Sequence, residues 1–131
     1  MDQGLSKKER LKSRKQISNL FSKNQHVFSY PFKYIFTPID PIDQASAKLL
    51  ISVSKRTFKH AVDRNRMKRL IREAYRKNKN IIYDELQPLN TQLLLGVIFV
   101  GKELMEYSEI EKSMIKGLKK LKESLAKDSL T

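Results

Sequence analysis

The stretch ISVSKRTFKHAVDRNRMKRLIREAYR, residues 51–76, decides how this chain is read. It begins inside an apolar strand, Lys48 to Ser54, and runs into a basic helix that starts at about His60 or Asp63 and ends near Asn78. From Asp63 to Asn80 there are eight Lys or Arg and two acids. At about 100° per residue, Met67, Leu70, Ile71, Ala74 and Tyr75 fall on one stripe, which predicts packing against a sheet. Asn65, Arg69, Arg72 and Arg76 fall on the opposite face, with Lys68 at its edge. Arg66 and Lys77 lie on the flank, and Arg64 sits at the helix start. Glu73 alone offers i,i+4 relief, to Arg69 and to Lys77. So many like charges repel one another, and a partner of opposite sign relieves them. Arg outnumbers Lys on this ridge, and its planar fork suits phosphate oxygens and exposed bases. The helix is therefore a candidate nucleic-acid surface rather than an ordinary solvated face.

The rest of the chain agrees. Its 131 residues, 40% of them hydrophobic, suit one domain with a core that needs no staples. The net charge is +13, and the excess is local. Residues 52–79 hold eleven basic against two acidic residues and residues 1–15 hold six against two, while residues 80–131 hold seven against eight. Such a balance points to nucleic acid or an anionic surface. The absence of cysteine excludes disulfides, zinc ribbons and thiol catalysis, and fits a reducing cytoplasm. The N-terminus has no apolar segment of the secretory kind, and the longest apolar run, LLLGVIFV from Leu93 to Val100, is too short to span a membrane.

Residues 1–12 read as a basic flexible arm. Ser13 with Gln16 marks a helix start, with Ser6 and Glu9 as a rival, and Ile17, Leu20 and Phe21 share a helix face. This places a helix at about 14–23. HVFSYPFKYIFTP, residues 26–38, reads as strand, with Phe32, Tyr34 and Phe36 on one sheet face and Pro31 and Pro38 as its bounds. TPIDPIDQASA is a turn, NIIYDELQPLNTQ a short helix or loop, and LLLGVIFV a strand covered on both faces. Ser108 with Glu111 opens a last helix whose apolar stripe is Ile110, Met114, Leu118, Leu121 and Leu125. If the aromatic segment before Pro31 counts as a short strand of its own, the order is α-β-β-β-α-β-α, an α/β sandwich on a mixed sheet of about four strands, with the third strand, basic helix and fourth strand as a βαβ unit. The base rate for such a crossover is right-handed.

No catalytic apparatus is legible. A metal-dependent nuclease clusters carboxylates, but Asp40 and Asp43 lie in a Pro-rich turn, and the acids from Glu103 to Glu111 precede or open a helix. No phosphate-binding glycine loop and no metal-ligand spacing occur. The chain is expected to have no catalytic residue and no metal site of its own. The aromatics Phe21, Phe32, Tyr34 and Phe36, with Ile17, suit either a core or a groove that stacks unpaired bases, with Lys55 and Arg56 nearby to hold the backbone.

The quoted stretch closely resembles the signature of the bacterial ribonuclease P protein component. The resemblance rests on Val53-Ser54-Lys55-Arg56, Ala61, Arg64-Asn65-Arg66 and Lys68 through Ala74, and extends more weakly over residues 5–125. It implies a left-handed crossover through the basic helix, against the general rule. It also implies a protein subunit of a ribonucleoprotein endoribonuclease in which the RNA is the catalyst. That enzyme removes the 5′ leader of precursor tRNA with Mg²⁺ held by the RNA. By position, Arg64, Asn65, Arg66, Lys68, Arg69, Arg72 and Arg76 contact the catalytic RNA, and Ile17, Phe21, Phe32, Tyr34, Phe36, Lys55 and Arg56 line the leader cleft. Where many members have an aromatic this chain has Ile17, which offers apolar contact in place of stacking. TFKHA stands where some members carry a loop glycine. The partners implied are ribonuclease P RNA and the precursor leader, with no DNA and no membrane. The alternatives are a ribosome-associated or general RNA-binding protein without an enzymatic complex, a protein-only nuclease and a DNA-binding basic helix. The last lacks the heptad zipper its class requires.

Overall fold

The computed structural model describes residues 5–129. Helix α1 (Arg14–Ser22) is followed by strands β1 (Gln25–Ser29), β2 (Phe32–Ile39) and β3 (Ala47–Val53). The long helix α2 (Ala61–Asn78), the short α3 (Asn80–Leu86), strand β4 (Gln92–Phe99) and helix α4 (Tyr107–Ser129) complete the fold. The sheet order is β1-β2-β4-β3; β1 and β4 run antiparallel to β2, and β3 runs parallel to β4. The expected four-stranded mixed sheet and element order hold, with α3 forming in the segment left open between helix and loop. The sheet has one helix on one face and three on the other.

Local chemistry sets the ends. Ser13 Oγ accepts from the Gln16 amide at 3.3 Å and starts α1, and Asn24 Nδ2 donates to the Leu20 carbonyl at 2.9 Å where it stops. In α2, Asp63 stands in the first turn and Arg76 and Lys77 in the last, each sign where the helix dipole favours it. Asn78 Nδ2 closes that end on the Ala74 carbonyl at 2.8 Å. Asn90 takes the left-handed turn before β4, with φ of 51°, a conformation Asn tolerates better than most residues.

The parity of the strands sorts the core into two clusters. Phe32, Tyr34 and Phe36 of β2, with Leu93, Leu95, Val97 and Phe99 of β4, join Met67, Ile71, Ala74 and Tyr75 of α2 and the α4 stripe. On the other face, Leu11, Leu20, Ile35 and Leu94 form a smaller cluster beneath α1, with Ile17, Ile39, Leu50 and Ile98 packed against it. Gly96 allows α1 its close approach: a Cβ there would lie 2.8 Å from Ile35 Cγ1 and 3.4 Å from Leu20 Cδ2.

Three expectations are corrected. Pro38 does not bound β2 but lies within it, opposite Leu93. The pairing of β2 with β1 ends at Phe36, so Pro38 sits where one side of β2 is already an edge. Residues 5–12 are not a free arm: a 3-10 turn, Lys7–Glu9, is docked on the fold, and the Leu11 amide bonds the Leu49 carbonyl at 2.9 Å. Residues 1–4 of that expected arm lie outside the described residues. Glu73 pairs with Arg76, one turn away, rather than with Arg69 or Lys77.

Two polar staples hold the segments that connect this core. Buried Gln92 donates to Asp43 Oδ1 at 2.7 Å and to the Ala45 carbonyl at 2.8 Å, while buried Lys48 reaches Asp43 Oδ2 and the Lys8 carbonyl, both at 2.8 Å. Lys48, chiefly, pulls the Asp43 carboxyl down to about 2. A carboxylate whose folded pKa is depressed adds stability above its unfolded value and loses it as the pH falls through the folded one. Asp43→Asn should therefore flatten the acid limb of stability between pH 3.8 and about 2, read from urea midpoints across that window. Parallel acid limbs in the two proteins would count against the staple. A second prediction concerns Gly117 of α4, whose added Cβ would press on the Tyr34 hydroxyl and lie 2.6 Å from its ring carbons. Alanine gains about 1 kcal/mol of helix propensity there, but overpacking of roughly 1–3 kcal/mol opposes it. Gly117→Ala should lower the urea midpoint, and a raised midpoint would show that α4 backs away freely.

Candidate nucleic-acid interface

The α2 stripe is buried as its periodicity predicts: Met67, Ile71, Ala74 and Tyr75 are fully covered, and Leu70 packs beside them. The opposite ridge must then face outward. Asn65, Arg66, Arg69 and Arg72 are exposed and Lys68 is half-buried. Among the described residues Arg66, Lys68, Arg69 and Arg72 have no acidic partner within salt-bridge distance. Arg76 differs: its Nε donates to Glu73 Oε2 at 2.9 Å, and this bond in turn holds the Glu73 carboxyl below its usual range. Lys77 lies over the Tyr107 ring, 5.5 Å from its centre.

Arg64 is turned to internal work. Its Nη1 donates to the carbonyls of Phe58 at 2.7 Å and Lys59 at 2.9 Å, clamping the loop between β3 and α2. Phe58 is buried against Phe99, and its amide bonds the Ser54 carbonyl. The clamp leaves Lys55, Arg56 and Lys59 exposed at the end of β3, next to the start of the ridge. Sequence reasoning placed Arg64 on the RNA-facing surface; the signal for its second role was its position on the apolar side of the helix start.

The aromatic prediction is corrected. Phe32, Tyr34 and Phe36 are each 0% exposed and pack into the larger core, so they line no groove. They do share one sheet face, but that face is roofed by α2 and α4. The face toward α1 carries the intervening residues. Phe28 of β1 pairs with Lys33, Lys33 with Ile98, and Ile98 with Ser52, which forms a row across all four strands. Phe28 is 49% exposed and Lys33 is exposed; on the same side, Phe21 of α1 is 50% exposed and Ile17 half-buried. This open surface combines aromatic area with a cation, as stacking platforms for unpaired bases do. Phe28, Lys33 and Ile98 were missed; the alternation in β2 already put Lys33 on the opposite face, whereas Phe28 and Ile98 join it only through strand pairing.

Among the described residues no group of three or more His, Asp or Glu is placed to share a metal ion, and no helix is long and apolar enough to cross a membrane.

A family model described as Ribonuclease P matches residues 5–122. The chain belongs to the ribonuclease P protein family. It is 37% identical over 115 residues to the ribonuclease P protein component of Porphyromonas gingivalis, covering 88% of this chain and 84% of that protein. It is 32% identical to that of Petrotoga mobilis, over 91% of this chain and 96% of the relative. The fold matches the Staphylococcus aureus RNase P protein with a TM-score of 0.67 at 28% identity, over 85% of this chain and 93% of that one. The Thermotoga maritima protein matches with a TM-score of 0.66 at 24% identity, over 85% and 96%. The family's role is processing of the tRNA 5′ end, as part of a ribonucleoprotein endoribonuclease, and it implies a ribonuclease P RNA as partner.

The Arg64 clamp generates its own test. Arg64→Ala should speed hydrogen exchange at the Phe58 amide, while Arg69→Ala leaves that amide unchanged. Unaltered protection in the first variant would remove the clamp from the account.

Proposed function

We propose that this protein grips ribonuclease P RNA with the outer ridge of α2 and gives the 5′ leader of precursor tRNA a track on the open sheet face beside α1. The observation that carries the reading is the ridge itself. Four cations, Arg66, Lys68, Arg69 and Arg72, stand without acidic partners among the described residues, on a helix whose other side is sealed in the core. Such charges gain most from a polyanion, and Arg can hold its phosphates through paired hydrogen bonds. Phe21, Phe28 and Lys33, with Lys55 and Arg56 at the end of β3, suit a single strand: rings for bases and cations for its backbone. Ile17 adds apolar contact without stacking.

The chemistry of bond cleavage belongs to the RNA in this reading. Mg²⁺ would be held by the RNA and would assist the hydrolysis there, and the polypeptide neutralises charge where two RNAs meet. The ion pairs of Asp43, Glu9 and Glu73 support this, since each of these carboxylates is engaged with a lysine or arginine. By lending the leader a track, the protein favours precursor over mature tRNA. No role for DNA or a membrane is needed, and a cytoplasmic setting suits a cysteine-free chain.

The decisive experiment adds the purified protein to a bacterial ribonuclease P RNA at low Mg²⁺ and follows leader cleavage. Restored cleavage is expected, and cleavage by the protein alone, or none with RNA, would overturn the reading. Arg69→Ala with Arg72→Ala should weaken assembly with the catalytic RNA and lower the logarithmic salt slope by roughly 0.7–0.9 per lost contact. Phe21→Ala should instead shrink the preference for precursor over mature tRNA, measured as the ratio of their dissociation constants. The two variants behaving alike in both assays would contradict the division of labour.

A further inference from the structure

At the outer edge of β3 a notch of about 220 Å³ opens between the N-terminal segment and α2. Arg10 and Lys12 stand on one wall and Lys68 and Arg72 on the other, over a floor that includes Leu50 and Ile51. None of the four cations has an acidic partner among the described residues. Four like charges around so small a space repel, the more so above an apolar floor that lowers the local dielectric. A bound anion reverses the sign of that energy.

The segment that brings Arg10 and Lys12 there is pinned at three points. Glu9 is only 8% exposed; its carboxylate accepts from Lys79 Nζ at 2.9 Å, from the Tyr83 hydroxyl and from the Ser6 amide. Burial alone would push this carboxyl up, but those partners together hold it below its usual range, so it is charged at neutral pH. The Lys8 carbonyl accepts from Lys48, and the Leu11 amide donates to Leu49. A buried, paired carboxylate is a costly way to fasten a terminus unless its placement matters.

We propose that this notch is a binding site for an RNA phosphodiester, and that the bonds of Glu9 to Lys79 and Tyr83 are the lock that holds Arg10 and Lys12 opposite Lys68 and Arg72. The inference rests on the RNA-binding reading above and extends it past α2 onto the N-terminal segment. Glu9 is thus a positioning residue: it touches no RNA itself.

The test uses the full-length protein with ribonuclease P RNA, and the holoenzyme with precursor tRNA, each titrated across a salt series. The Arg10→Ala, Lys12→Ala double variant changes only exposed side chains and should keep the fold. It should weaken RNA binding about tenfold to twentyfold at physiological salt and lower the salt slope by roughly 1.5, two phosphate contacts' worth. A loss with catalytic RNA assigns the phosphate to that RNA, and a loss confined to precursor assigns it to the substrate; either supports the site. Glu9→Gln should weaken binding as well, and the alanine pair added to it should then cost much less than in the wild type. Tyr83→Phe, which deletes one bond to Glu9, should show the same coupling in milder form and serves if Glu9→Gln does not fold. Unchanged affinity and slope in the alanine pair would overturn the site, and strictly additive losses would overturn the lock. A wild type that binds neither RNA would sink the underlying reading instead.

Discussion

One amphipathic helix governs this molecule. Met67, Ile71, Ala74 and Tyr75 are each 0% exposed, and their burial against the sheet and α4 fixes the rotation of α2 about its own axis. Once that rotation is fixed, the position of every charge on the helix follows, because Cβ directions repeat with the helical period. Burying four side chains of that size is worth several kcal/mol at roughly 25 cal/mol per Å², more than the repulsion among solvated cations screened by salt. The core therefore wins, and the surface is left with a charge pattern that only an external anion satisfies.

The sheet performs the complementary sorting. Its period of two sends Phe32, Tyr34 and Phe36 to the side roofed by three helices, and Phe28, Lys33, Ile35 and Ile98 to the side roofed by α1 alone. A nine-residue helix cannot cover four strands. The uncovered row, with Phe28 and Lys33 at its open end, is thus a consequence of unequal helix counts on the two faces. The proposed leader track sits where the roof runs out.

Polar staples join these parts. Lys48, Gln92 and Asp43 tie the loop after β2 to the sheet, and Glu9, Lys79 and Tyr83 tie the N-terminal segment to α3. Each buried charge is compensated within hydrogen-bond distance, as burial requires. Among the described residues the cations of the α2 ridge, by contrast, have no such acidic partners, apart from Arg76. The separation of compensated from uncompensated charge divides the scaffold from the binding surface.

The amino-acid pattern alone determined the order of the main helices and strands, the buried stripe of α2 and α4, the location of the cationic ridge and the family. All of these are set by short-range periodicity and by a run of specific residues. Tertiary structure decided the rest. Which strand face is covered depends on helices distant in the chain, so the aromatic face was legible and its burial was not. The docking of residues 5–12 rests on Glu9 meeting Lys79 and Tyr83 some seventy positions away. The use of Arg64 as a loop clamp depends on carbonyls that only the folded turn brings within reach. Contacts between residues far apart in sequence leave no periodic trace, and those contacts shape the open sheet face and the notch.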